Sequence, residues 1–158
     1  QLLKEKKSNQ LILTPVGTHH KSSLNLFDSI DHTRLIQTFL DLVRISSPSG
    51  DEEELRHYIE SRLLQLKMDY HVDQAGNLIA FKEGRLRHNK TILLNAHMDT
   101  VSAGKVINPI VGDDFITTDG ESILGADDKA GIAAILEDLE ILSSENQFQF
   151  YCFRRDGS

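Results

Sequence analysis

The chain has almost no sulfur to cross-link, no long apolar run and a shortage of positive charge. Cys152 is the only cysteine among 158 residues, so an intrachain disulfide is impossible and a reducing, cytoplasmic setting is expected. No apolar stretch approaches the roughly 18 residues of a membrane span, so no membrane partner is expected. Lys and Arg number 17 against 24 Asp and Glu, and the formal net charge of −7 has the wrong sign for nucleic acid as the main partner. The first residue is Gln1 rather than Met, which leads us to expect a piece of a longer or processed product. Residues 1–28 read as a flexible N-terminal extension. Its Leu11-Ile12-Leu13 run is too short for a signal-peptide core, and His19-His20 reads as polar linker.

What is present is an ordinary globular composition, 39% hydrophobic and 26% charged, enough for one domain with a core over residues 29–158. Asp31 reads as an N-cap, followed by Leu35, Ile36, Phe39, Leu40, Leu42 and Val43 at helical spacing. Pro48-Ser49-Gly50 breaks that helix, and Ser49 with Glu52 reads as a capping box opening a second one. Asp51, Glu52, Glu53 and Glu54 then suit a solvated helix start. Beyond Met68 the period changes to that of strands. Residues 70–72 and 78–81 form a hairpin around Gln74-Ala75-Gly76-Asn77, and residues 91–96 form a strand buried on both faces. Residues 115–117 and 123–124 read as short strands, 130–142 as a helix and 148–153 as a last strand. Helices alternating with apolar strands predict an α/β fold, a three-layer α/β/α sandwich around a mixed sheet. Leu35, Phe39, Leu63 and Ile135 should face that sheet.

Negative charge is concentrated. Between His97 and Gly131 lie Asp99, Asp113, Asp114, Asp119, Glu121, Asp127 and Asp128 against only Lys105 and Lys129. Such a cluster is either a solvated loop region or a site whose carboxylates a cation neutralises. His-x-Asp occurs twice where composition predicts about 0.6 chance matches. His71-Val72-Asp73 lies in a hairpin strand and reads as a surface cross-strand pair. His97-Met98-Asp99 ends a buried strand, expected to be central, at the C-terminal tip where open α/β sheets place ligands. A metal-bound imidazole usually donates its other N–H to a carboxylate, so His97 reads as a ligand and Asp99 as its orienting partner. Asp127-Asp128 follows the sharp turn at Gly125 and opens a helix. Acidic residues there are ordinary caps, but a pair within reach of His97 is also how a carboxylate shared by two ions is supplied.

Leu94-Asn95-Ala96-His97-Met98-Asp99-Thr100-Val101 and Ile123-Leu124-Gly125-Ala126-Asp127-Asp128-Lys129-Ala130-Gly131-Ile132-Ala133 closely resemble the peptidase T-like aminotripeptidases, within the co-catalytic zinc exopeptidases and deacylases. The likeness extends through Ile45-Ser46-Ser47-Pro48-Ser49-Gly50 and Asp73-Gln74-Ala75-Gly76-Asn77 and covers roughly residues 31–150. It implies a zinc aminopeptidase that hydrolyses the N-terminal bond of short peptides through a water activated by two Zn2+ ions. His97 would bind one zinc, Asp99 would act as the catalytic residue orienting His97, and Asp127 would bridge both zincs. The peptide bond after the bridging Asp is often cis in that family. The family also has a Glu-Glu pair after its next strand, where this chain has Arg154-Arg155-Asp156, and a lid domain. The domain is therefore expected to be incomplete, with the lid absent and the fragment inactive alone. A non-catalytic remnant serving as a binding module, or a related amidohydrolase, stays open as the alternative.

Overall fold

A computed structural model describes residues 30–82, 92–101, 106–145 and 150–152. Helix α1 (His32–Arg44) starts at Asp31, whose carboxylate accepts from the Arg34 backbone N–H at 3.1 Å, as an N-cap does. It ends where Ile45 turns extended, three residues before Pro48. Leu42 and Val43 are fully buried, while Leu35 and Phe39 pack half-buried at the margin of the core.

Helix α2 (Glu53–Gln65) buries Leu55, Ile59 and Leu63. The Ser49–Glu52 capping box does not form. Glu52 itself occupies the cap position without a side-chain cap bond, and its Oε1 accepts from Gly50 N at 2.7 Å. Nor is Glu52 solvated, being 7% exposed. Ser49 turns away because a closer acceptor stands in another part of the fold. At the far end, Lys67 adopts φ 54°, and its N–H and that of Met68 return to the carbonyls of Leu64 and Leu63. This is a Schellman closure with a lysine where glycine is usual.

Strands β1 (Asp69–Val72) and β2 (Leu78–Lys82) form the expected antiparallel hairpin, with His71 opposite Ile79. Asp73 stands beyond the strand, so it is no cross-strand partner of His71. It accepts from the backbone N–H groups of Ala75 and Asn77 and from Asn77 Nδ2, which ties the turn. These bonds hold the Asp73 carboxyl below its ordinary pKa, the Asn77 side chain contributing most. Next come β3 (Ile92–Leu93), a separate ribbon of β4 (Ile110–Val111) and β5 (Ile116–Thr117), helix α3 (Ala126–Glu145), and β6 (Phe150–Cys152). The main sheet has the order β1-β2-β6-β3, with β6 antiparallel to β2 and parallel to β3. The parallel pair needs a crossover, and α3 supplies it.

Two expectations about strands are corrected. Among the described residues β3 is two residues long, stands last in the strand order and leaves Ile92 and Leu93 exposed, so the strand expected to be central before His97 has no second neighbour there. An apolar strand is buried on both faces only when neighbours and helices cover it, and among the described residues β3 pairs with β6 alone. Residues 123–124 are not a strand; β5 pairs instead with β4. The α/β class holds. The three helices share one core with Leu78 and Ala80 of β2, and α1 packs along α3. Ile132, Ile135, Leu136 and Leu139 supply the α3 side of that core.

Candidate metal and catalytic site

The site sits where the segment after β3 meets the start of α3. Ala96 and Met98 are 1% exposed and face the core, so the intervening His97 and the following Asp99 turn outward. On the other side, Gly125 makes the bend at φ 67°, and a Cβ there would stand 3.3 Å from Thr100 Cγ2. Only glycine suits both the left-handed backbone and that approach. The Asp127–Asp128 peptide is cis. Asp127 and Asp128 lack helical dihedrals, and Asp128 Oδ1 accepts from Gly131 N at 3.1 Å. Asp128 is thus the cap of a helix regular from Lys129, and Asp127 is left free to project, its side chain 97% exposed.

His97 Nδ1 lies 2.9 Å from the carbonyl oxygen of Asp99 and 3.3 Å from its Oδ1. On the opposite edge of the ring, Nε2 lies 3.2 Å from Asp127 Oδ1. Partial burial disfavours a charged ring, but these acceptors outweigh it and raise the His97 pKa above its ordinary value. With the ring neutral and its proton on Nδ1, Nε2 and Oδ1 are two acceptors facing each other. Such a pair needs either a second proton on the ring or a cation between the two atoms. Their separation is close to the roughly 3.4 Å between neighbouring ligands of a tetrahedral ion with bonds near 2.1 Å. A cleft of about 480 Å³ opens here, lined by Ser49, His97, Asp99, Val101, Ile123 and Asp127 among others.

The rest of the acidic cluster does not join. Asp113, Asp114, Asp119 and Glu121 are all exposed, and Asp119 turns its carboxylate to Glu121 N. Among the described residues no group of three or more His, Cys, Asp or Glu converges in metal-binding geometry. Asp73 lines a different cavity, with Glu52 and Arg56. The Arg154-Arg155-Asp156 stretch lies outside the described residues.

Sequence reasoning missed three residues. Ser49 donates to Asp99 Oδ2 at 2.6 Å. Thr100, 7% exposed, pairs through its N–H with the Ser47 carbonyl at 2.8 Å. Lys129 is fully buried, donates from Nζ to the Ile45 carbonyl, and is pushed by burial down to a pKa of about 8. The available signal was that all three fall inside the motif stretches themselves.

Comparison with known proteins places these stretches. The model of Peptidase family M28 matches residues 77–152. Uncharacterized protein YqjE of Bacillus subtilis is 38% identical over 125 residues, covering 74% of this chain and 33% of its own length. Peptidase T of Staphylococcus aureus is 30% identical over 146 residues, covering 71% of this chain and 36% of the relative. The solved structure of a tripeptidase from Staphylococcus aureus superposes with a TM-score of 0.71 at 36% identity, over 78% of this chain and 36% of that one. The chain is a peptidase T-like member of the zinc exopeptidase superfamily. It spans about a third of the length of these relatives.

Proposed function

We propose that this chain carries one side of the metal centre of a zinc-dependent aminotripeptidase-like metallopeptidase, acting on the N-terminal bond of short peptides. The observation that carries this reading is the approach of His97 Nε2 to Asp127 Oδ1, 3.2 Å apart at the mouth of one cleft. Its support from relatives is the tripeptidase likeness in both sequence and fold. His97 and Asp127 would hold zinc, Asp127 being the carboxylate shared between two ions. When bound, the metal polarises the scissile carbonyl and lowers the pKa of water.

The chain's own residues do the rest. Asp99 holds the proton of His97 on Nδ1, which keeps the Nε2 lone pair directed into the cleft. Asp128 and Gly125 fix the turn that presents Asp127, so the carboxylate stands clear of the helix it precedes. Val101 and Ile123 give the cleft apolar walls against which a peptide can lie. The single cysteine fits a cytoplasmic peptidase, and among the described residues no helix is long and apolar enough to cross a membrane.

Titration of the metal-free chain with Co2+, followed by its visible absorption, tests the reading. The native chain should bind, and His97→Ala and Asp127→Asn should each weaken binding by tenfold or more. Equal affinity in all three would place any metal elsewhere and overturn the assignment.

A further inference from the structure

Lys129 is fully buried, just ahead of Ile132, where the apolar face that α3 gives the core begins. An apolar side chain of similar length would fill that space without taking an ammonium out of water. Packing therefore does not account for the amine. We infer that Lys129 is a positioning residue of this site: its amine fastens the start of α3 to residues 45–48 and so holds Asp127 in register with His97.

Both parts of the site meet at residues 45–48. On the His97 side, Thr100 N donates to the Ser47 carbonyl at 2.8 Å, Thr100 Oγ1 reaches the same oxygen at 3.4 Å, and Pro48 bridges Thr100. On the Asp127 side, Lys129 Nζ donates to the Ile45 carbonyl. Ile45 is the C-cap of α1, and its carbonyl is one of the acceptors a helix end leaves without an intrahelical donor. The two sides also touch directly, since a Cβ on Gly125 would stand 3.3 Å from Thr100 Cγ2 and 3.9 Å from Lys129 Nζ. Asp127 needs such a tether. Its dihedrals and those of Asp128 are not helical, so regular helix geometry begins only beyond them. The amine thus links the turn that carries Asp127 to a segment already tied to the stretch that carries His97.

The inference rests on the metal reading for what this register serves, but its test needs no metal, so either can fail alone. In the metal-free native chain at one fixed pH, a nuclear Overhauser cross-peak should join the His97 ring protons to the Asp127 β protons. Lys129→Met should lose that cross-peak while melting no lower than the native chain. Restoring the amine should restore it: Lys129→Cys, aminoethylated while unfolded in a Cys152→Ser background and then refolded, carries an amine on a stem of lysine length. A Lys129→Met chain that keeps the cross-peak overturns the inference, and so does a native chain without one. A loss accompanied by a lower melting temperature also overturns it, by assigning the amine to folding at large. So does a loss that aminoethylation fails to reverse.

Discussion

Glu137 of α3 and Arg34 of α1 form a bidentate pair across the helix interface, with Nε–Oε2 and Nη2–Oε1 both at 2.7 Å. Glu137 is 4% exposed and also accepts from Asp31 N, at 2.8 Å, so one carboxylate ties the start of α1 to α3. Removing one partner of a buried pair leaves the other uncompensated. Because the Arg34 side chain is 36% exposed, water recovers part of that loss. Glu137→Ala should cost about 2–3 kcal/mol in urea unfolding, and Glu137→Gln less. A change below about 0.5 kcal/mol would show that the pair contributes nothing net.

Lys67 closes α2 in the left-handed region at φ 54°. A side chain there costs roughly 1 kcal/mol that glycine avoids, partly offset by the greater freedom of glycine in the unfolded chain. Lys67→Gly should therefore raise stability slightly, by up to about 1 kcal/mol, and Lys67→Val should lower it. Melting temperatures of the two variants against the native chain decide the matter by their opposite signs.

Lys129 gives stability a pH dependence. Burial lowers its pKa to about 8 in the folded chain, against roughly 10.4 unfolded. Between those values the unfolded chain binds more protons, so folding strengthens as pH rises through the window and weakens as it falls toward 8. Replacing the amine by Lys129→Met should flatten the slope between pH 8 and 10 by up to about 1.4 kcal/mol per unit. Other lysines and tyrosines titrate alike in both proteins and cancel in the difference. Parallel slopes in denaturant titrations would show that the amine is not buried in solution.

The local features were legible because single side chains determine them. Asp31 caps α1, the turn at Gly76 closes the hairpin, and Gly125 bends the chain before Asp127, each through one residue's own geometry. The sequence features that failed depend on distant partners. Ser49 had a capping role open to it three residues away, but Asp99, brought close only by the fold, offers a charged acceptor instead. β3 has the composition of an interior strand, yet an interior position is conferred by neighbours. Burial of Lys129 was equally invisible, since periodicity reports a helical face and says nothing of a carbonyl 84 residues upstream. The geometry linking His97, Asp99 and Asp127 was readable because each motif places its residues locally, and one contact then joins them.

Catalysis by the chain on its own gives the sharpest test. With Zn2+ or Co2+ added, the 158-residue protein should release no N-terminal residue from a tripeptide at a useful rate. His97 and Asp127 are two of the roughly five protein ligands that a two-metal peptidase site uses, so they alone hold neither ion in fixed geometry. Among the described residues no third acidic side chain joins them as base, and a positioned base contributes typically 10²–10⁴-fold. Extending the chain with a segment that supplies the family's Glu-Glu pair and later ligands should restore turnover, and His97→Ala should abolish it again. Turnover by the unextended chain that His97→Ala abolishes would overturn this expectation and point to a base within these 158 residues.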